Sequence, residues 1–257
     1  MQDFKHRVAL VTGASTGIGE AIAAELFRRG ATVVMTGRHA APLAAAAAPL
    51  AAAAARLDPD GRRVMTLRMD VRDAPSVQQG IEEIVRRCGA LHLLVNNAGL
   101  TGPHEVGIDR YAVDDWHEVI ATCLSGTFFG MKYGLPAIVA GGGGAVVNLS
   151  SANGVVGIAG IAPYTAAKHG VLGLTRSAAL EFATRGVRVN AVGPGYVDTP
   201  AMGALPASAR AQMAASHPMG RMATREEVAK TVAFLLSDDS SFTTGAFYSI
   251  DGGYTAR

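Results

Sequence analysis

The segment Val8–Met35 reads VALVTGASTGIGEAIAAELFRRGATVVM, and it decides the fold class. A short apolar run leads into a turn that carries Gly13, Gly17 and Gly19, and an amphipathic stretch then leads into a second β-branched run. This order predicts a strand, a tight turn, a helix and a second strand. Glycine lets the backbone turn sharply, and the N-terminus of the helix offers free N–H groups to an anion such as a pyrophosphate. On this segment alone a plain strand-to-helix turn is the alternative, because GxxxGxG differs from the GxGxxG fingerprint.

The same alternation of short strands and longer helices continues along the rest of the chain. Seven strands are expected, at Arg7 to Thr12, Thr32 to Thr36, Arg63 to Arg68, Leu91 to Asn96, Ala145 to Ser150, Val187 to Val192, and Phe247 to Ile250. Six helices are expected, at Ile18 to Arg29, Pro42 to Leu57, Ser76 to Arg87, Asp114 to Val139, Pro163 to Thr184, and Glu226 to Leu236. Repeated βαβ units indicate a parallel sheet covered on both faces. Because no linker and no internal repeat divides the chain, we expect one domain spanning residues 1–257.

Composition and charge argue against several other classes of protein. Hydrophobic residues make up 49% of the 257 residues and charged residues 17%, so the chain can bury a substantial core. The 23 basic and 21 acidic residues are interspersed and give a net charge of +2, which argues against a nucleic-acid partner. Cys88 and Cys123 cannot form a disulfide framework and lack metal-ligand spacing, so we expect no metal site and a cytoplasmic location. We expect the N-terminal apolar run to be a strand, not a signal peptide, and we expect no membrane span.

Four motifs follow one another along the chain. They are TGASTGIG at Thr12–Gly19, NNAG at Asn96–Gly99, Tyr164-x-x-x-Lys168, and Pro194-Gly195 after the sixth strand. Together they resemble the short-chain dehydrogenase/reductase family over nearly the whole chain. The resemblance implies an α/β fold, a Rossmann-type doubly wound seven-stranded parallel sheet with three helices on each face, in agreement with the elements counted above. It also implies an oxidoreductase that transfers a hydride between NADP(H) or NAD(H) and an alcohol/carbonyl substrate.

Tyr164, Lys168 and Ser151 are the candidate catalytic residues. Tyr164 and Lys168 are one helical turn apart, so they share a helix face, where the lysine charge favours a phenolate. Such a pair is common by chance, but Ser151 precedes Tyr164 by the spacing of the family's catalytic serine, which selects it over the alternative, Ser150. The resemblance implies Tyr164 as general acid in reduction and base in oxidation, Lys168 as its charge partner and ribose anchor, and Ser151 as the partner of the substrate oxygen.

The resemblance also implies which residues surround the dinucleotide. The glycine turn would hold the phosphates, Asp70 and Val71 the adenine, Asn97 and Gly99 the ribose side, and the turn after the sixth strand the carboxamide. The complete set implied is Gly13, Ser15, Thr16, Gly17, Ile18, Gly19, Arg38, Asp70, Val71, Asn97, Ala98, Gly99, Tyr164, Lys168, Pro194, Gly195, Val197 and Thr199.

The preference between the two cofactors depends on the end of the second strand. An NAD site usually carries a carboxylate there, whereas this chain has Gly37 followed by Arg38, whose guanidinium can hold a 2′-phosphate. We therefore expect NADP(H). NAD(H) is the alternative, because Arg38 could instead stack on the adenine or face solvent, and Ser15 and Thr16 add no basic group to the first turn.

One position departs from the family. Where the family has a catalytic asparagine in a helix resembling WxxVIxVNLxGxF, this chain reads WHEVIATCLSGTF and has Cys123. A cysteine keeps the backbone carbonyl but lacks the amide donor, and we expect a small buried residue that leaves activity intact or reduced. The substitution raises the alternative of a catalytically weak or inactive cofactor-binding regulatory protein. An isomerase or dehydratase on the same fold is a second alternative.

The segment of about residues 200–222 is rich in Ala, Met and Pro and resembles the family's variable substrate lid. With Val155, Ile158 and Ile161 it predicts a small-molecule carbonyl or alcohol substrate of apolar or partly polar character, whose identity stays open. The C-terminal SFTTGAFYSIDGGYTAR resembles the family's last strand, which packs across a subunit interface in many members, so a homotetramer is expected.

Overall fold

A computed structural model describes residues 3–54 and 63–256, which form nine strands and nine α-helices. The strands are β1 (Val8–Thr12), β2 (Thr32–Gly37), β3 (Val64–Arg68), β4 (Leu93–Asn96), β5 (Gly144–Leu149), β6 (Val187–Pro194), β7 (Val197–Asp198), β8 (Ala223–Thr224) and β9 (Phe247–Ile250). The helices are α1 (Gly17–Arg28), α2 (Ala40–Ala54), α3 (Ala74–Cys88), α4 (Val113–Ile120), α5 (Gly126–Ala140), α6 (Ala162–Phe182), α7 (Pro200–Gly203), α8 (Ala207–Ala215) and α9 (Arg225–Leu236).

Seven of the strands form one parallel sheet, which confirms the predicted fold class. Their order is β3-β2-β1-β4-β5-β6-β9, and β7 pairs separately with β8. After β3 the chain crosses back to place β4 beside β1, so the strand order reverses between these two strands. In open α/β sheets ligands bind at such a reversal, outside the carboxyl ends of the strands.

Helices cover both faces of the sheet because successive strand residues point to opposite sides. In β1, Ala9 and Val11 pack in one core with residues of α1, α2 and α9. Val8 and Leu10 pack in a second core with residues of α3, α5 and α6. Three helices therefore lie on each side, as predicted.

The largest departures from the predicted elements lie in the fourth predicted helix and in the lid segment. The fourth predicted helix, Asp114 to Val139, is interrupted by a five-residue π-helical turn at Ala121–Ser125 that separates α4 from α5. The lid segment forms the short helices α7 and α8, which the sequence did not predict. The predicted end of the second helix, Leu57, lies outside the described residues. Within the described ranges, no helix combines the length and apolarity needed to cross a bilayer.

Candidate active site

A cleft of about 480 Å³ opens over the carboxyl ends of the central strands. It brings together the predicted catalytic residues Ser151, Tyr164 and Lys168 and every predicted cofactor-binding residue except Val197. The side chain of Val197 is buried in the core on the α1 side of the sheet. Further residues outside the predicted set also line the cleft. Gly37 and Ser150 were weighed for other roles, and Pro200 and Ala201 belong to the predicted lid, whereas His39, Met69, Arg72, Leu100, Thr101, Thr122 and Leu149 were missed.

The floor of the cleft is built by the turn after β1 and the segment after β4. The Thr12 hydroxyl oxygen accepts hydrogen bonds from the backbone N–H groups of Asn97 and Ala98, at 2.9 and 3.1 Å. The Asn97 side-chain amide donates to the carbonyls of Thr12 and Gly13, at 2.9 and 3.1 Å. Gly13 has a φ of +64°, and a Cβ placed on it would lie 2.8 Å from the Cα of Ala98. Only glycine permits this contact, so the two segments are held backbone to backbone.

The same turn fits a dinucleotide pyrophosphate. Helix α1 begins at Gly17, and the side chain of its N-cap residue, Thr16, makes no capping hydrogen bond. The first-turn N–H groups of α1 therefore keep their donor capacity beside a cleft that Ser15, Thr16 and Gly17 line. A Cβ on Gly19 would lie 2.4 Å from the Gly13 carbonyl oxygen, so a larger residue there would break the turn.

Charged groups gather at the far end of the cleft, beside β2 and β3. The guanidinium of Arg72 forms hydrogen bonds to both carboxylate oxygens of Asp70, at 3.0 and 2.7 Å. These bonds, with a smaller contribution from the charge of Arg38, hold the pKa of the Asp70 carboxyl below its usual value. Arg38, which is exposed, and His39 line the same end. Arg72 and His39 could have been found from sequence as neighbours of Asp70 and Arg38 at the ends of parallel strands.

Helix α6 presents Tyr164 and Lys168 to the middle of the cleft. Lys168 is only 4% exposed, its ammonium donates to the Leu149 carbonyl at 2.6 Å, and its nitrogen lies 5.4 Å from the centre of the Tyr164 ring. The two serines after β5 have different surroundings. The buried Ser150 hydroxyl donates to the Lys168 carbonyl at 2.9 Å, whereas the half-buried Ser151 accepts from the Asn153 N–H at 3.2 Å and faces the cleft.

Cys123 lies in the π-helical turn, fully buried beside Tyr164 and Ala167. Its thiol donates to the Leu100 carbonyl at 3.2 Å and accepts from the Leu100 N–H at 3.4 Å. Its own carbonyl accepts from the Thr127 hydroxyl at 2.9 Å. The side chain therefore satisfies both backbone groups of Leu100, which lines the cleft.

Comparison with known proteins agrees with this geometry. Residues 13–255 match a protein family described as enoyl-(acyl carrier protein) reductase. The chain is 46% identical to the cis-4-hydroxycyclohexanecarboxylate dehydrogenase of Sinomonas cyclohexanicum over 255 residues, covering 98% of each chain. It is 42% identical to the cyclohexanol dehydrogenase of Acinetobacter sp. (strain SE19) over 255 residues, which are 99% of this chain and 97% of that protein. The chain belongs to the short-chain dehydrogenase/reductase family.

A solved structure of a short-chain dehydrogenase/reductase relative supports the same assignment. The crystal structure of levodione reductase matches this chain with a TM-score of 0.91 and 33% sequence identity. The match covers 98% of this chain and 99% of the levodione reductase chain. As a family member, the protein is an oxidoreductase that acts on alcohol/carbonyl pairs with a nicotinamide cofactor. The alternative of an inactive regulatory protein gains no support from these relatives.

Cys123 stands where the resemblance to the family implies an asparagine, and its contacts predict the effect of substitutions. Cys123→Ala should lower turnover with an alcohol substrate about tenfold, because it leaves the two backbone groups of Leu100 unsatisfied at one wall of the cleft. Cys123→Ser offers a donor and an acceptor at the same place, so its turnover should stay close to that of the parent protein. Cys123→Asn should leave turnover unchanged or raise it. Steady-state kinetics and thermal unfolding of the three variants check this, and a large fall for Cys123→Asn would mean that the thiol has a role of its own.

Proposed function

We propose that the protein interconverts an alicyclic secondary alcohol and the corresponding ketone with NADP(H), using Ser151, Tyr164 and Lys168. The observation that carries the catalytic part is the convergence of these three side chains on one wall of the dinucleotide cleft. The substrate class is supported by the two dehydrogenases of cyclohexane-ring alcohols that share 46% and 42% of their aligned residues with this chain.

We assign a role to each of the three side chains. Hydride transfer at the carbinol carbon is the chemistry that the nicotinamide supplies when it is bound. In ketone reduction the Tyr164 hydroxyl donates its proton to the substrate oxygen, and in alcohol oxidation the phenolate takes that proton back. The Lys168 ammonium, 5.4 Å from the Tyr164 ring centre, is the charge partner of Tyr164 in this transfer. Ser151, which lines the cleft, hydrogen-bonds the substrate oxygen and stabilises the charge that develops there.

The surroundings of the catalytic residues suit a ring of mainly apolar character. Leu100 and Tyr164 pack against the same buried cluster and both line the cleft, and the buried Ile161 lies just ahead of α6. The lid helix α7 contributes Pro200 and Ala201 to the cleft lining. An apolar wall with a few convergent polar groups is the usual form of a site for such a small molecule.

The preference for NADP(H) follows from the charges at the far end of the cleft. Gly37 places no carboxylate at the end of β2 to repel a 2′-phosphate, and Arg38 follows it directly. Asp70, the carboxylate that lines this end of the cleft in the described part of the chain, is already paired with Arg72. Arg38 and His39 are therefore the groups available to a phosphate at this end.

We further propose that residues 1–257 act as one dinucleotide-binding and catalytic domain with a lid at about 200–222, and that four copies assemble into a tetramer. A tetramer with two-fold symmetry needs two different self-complementary surfaces. Val113, Trp116 and Phe128 expose apolar area on α4 and α5, and Phe234 stacks edge-on against Tyr248 on α9 and β9.

The location that we propose is the cytoplasm. Cys88 and Cys123 are free thiols that form no disulfide, which suits a reducing compartment.

A substrate panel tests the proposed reaction. We expect oxidation of cyclohexanol with NADP⁺ and reduction of cyclohexanone with NADPH, followed by nicotinamide absorbance, at a kcat/KM about tenfold or more above that for a linear six-carbon alcohol or a 3-oxoacyl thioester.

Tyr164→Phe should lower kcat by about a hundredfold or more, since it removes the proton donor, while the Kd for the dinucleotide changes little. Preference for the thioester, or substantial turnover by Tyr164→Phe, would contradict the proposal.

Arg38→Leu tests the cofactor preference. Loss of a charge-assisted bond to the 2′-phosphate should raise the Kd for NADPH about tenfold to a hundredfold and leave the Kd for NADH nearly unchanged. Fluorescence titration of both reduced cofactors measures this. Arg86→Leu, on the exposed side of α3 and paired with Glu83, is the matched control and should alter neither Kd. Parent protein that binds NADH as tightly as NADPH would refute the preference.

Light scattering tests the assembly. The parent protein should have about four times the 26.4 kDa mass of one chain. Phe128→Asp and Phe234→Asp should each give dimers, because each places a charge in only one of the two proposed surfaces. Gln79→Asp, which adds the same charge to an exposed position on α3, should remain tetrameric. A monomeric parent at working concentration would reject the tetramer.

A further inference from the structure

His217 is a buried histidine outside the catalytic set. It follows α8 at the end of the lid segment and is only 3% exposed. Its backbone N–H donates to the Ala214 carbonyl at 3.2 Å, and its carbonyl accepts from the Gly220 N–H at 2.8 Å. The residue therefore has a fixed place in the backbone, and its ring is free to act on something else.

The ring contacts the turn that follows β6 and lines the cofactor cleft. The Nε2 atom accepts a hydrogen bond from the backbone N–H of Tyr196 at 3.1 Å. A Cβ on Gly195 would lie 2.5 Å from the same nitrogen, so glycine is required for the ring to approach. Pro194 and Gly195 both line the cleft that holds Tyr164 and Lys168. One imidazole nitrogen thus fixes the position of a cleft wall.

Two rings and the C-terminal segment hold the imidazole in place. The Tyr196 ring meets it edge-on at 5.7 Å, and the Tyr254 ring lies 5.9 Å away. A Cβ on Gly252 would lie 3.3 Å from the Cβ of His217, so the C-terminal segment also packs closely against it. The Nδ1 atom is buried and has no hydrogen-bond partner in the described part of the chain. Because Nε2 is an acceptor, Nδ1 carries the proton of the neutral ring.

We propose that His217 is a positioning residue whose imidazole Nε2, as an acceptor for the Tyr196 N–H, holds the Pro194–Tyr196 turn against the dinucleotide. The proposal rests on the proposed function only in that a nicotinamide dinucleotide occupies the cleft. It does not depend on the substrate class or on the choice between NADP(H) and NAD(H).

The ionisable groups around the ring do not take over the contact of His217 with the Tyr196 N–H. Burial, with a smaller contribution from Tyr254, raises the pKa of Tyr196, so its phenol is uncharged near neutral pH. Asp251 is buried, and its carboxylate already accepts from Gly253 and Thr255. The ring also lines a second cavity of about 460 Å³, together with the charged residues Arg221, Glu227 and Lys230. Arg221 and Glu227 pair with each other at 2.7 Å.

Two substitutions distinguish the effect of the Nε2 acceptor from the effect of the volume of the ring. In His217→Gln the amide oxygen can accept from the Tyr196 N–H and does not titrate, whereas His217→Phe fills the space without an acceptor. We expect the Kd for NADH, measured by fluorescence near neutral pH, to rise about tenfold in His217→Phe and about threefold or less in His217→Gln.

His6→Asn, at an exposed position with φ of +65° that asparagine tolerates, is the control and should keep the parent's Kd. Imidazole ¹⁵N shifts of the parent protein should show the Nδ1-protonated tautomer. A Kd for His217→Gln as high as that for His217→Phe would overturn the proposal. The opposite tautomer in the parent would overturn it as well, even if His217→Phe fails to fold. Failure of the alicyclic substrate assay would leave this binding result intact.

Discussion

The site depends on one close contact, between the turn after β1 and the segment after β4. Gly13 lies so near Ala98 that a Cβ would approach its Cα to 2.8 Å, and the Asn97 amide donates to the carbonyls of Thr12 and Gly13. β1 and β4 are neighbours because the chain reverses its strand order there. This contact fixes where the N-terminus of α1 faces the cleft, and hence where a pyrophosphate can bind.

The wall of the cleft that carries Ser151, Tyr164 and Lys168 is held by β5 and α6. The Lys168 ammonium donates to the Leu149 carbonyl, and the Ser150 hydroxyl donates to the Lys168 carbonyl, so the end of β5 and helix α6 hold each other in both directions. A buried ammonium without such a partner would be costly. These bonds engage the hydroxyl of Ser150, although that residue also lines the cleft, and they do not involve the hydroxyl groups of Ser151 and Tyr164. Side chains on rigid elements can keep a reactive geometry that loop residues would lose.

The parts of this architecture that follow from local pattern were predictable, and those that follow from tertiary contact were not. The apolar runs of β1 and β2 and the glycines between them predict the βαβ unit, and the motif order predicts the cleft residues. The π-helical turn at Ala121–Ser125 has no periodicity signal, because it interrupts one continuous helical pattern. Helices α7 and α8 are short and bury no residue, so they leave little amphipathic trace. Arg72 was within reach of the sequence, because it lies two residues after Asp70, but it belongs to none of the four motifs.

Cys123 and His217 solve the same physical problem on two walls of the cleft. Walls made of loops cannot pair all their backbone groups within a sheet, yet buried N–H groups need partners. Cys123 provides one for the N–H of Leu100, and His217 provides one for the N–H of Tyr196. In each case a side chain from a distant segment, the π-helical turn or the end of the lid, replaces the missing strand neighbour. The two walls differ in one respect: the Cys123 thiol both donates and accepts, so it pairs the two backbone groups of Leu100, whereas the Nε2 of His217 only accepts, from the Tyr196 N–H.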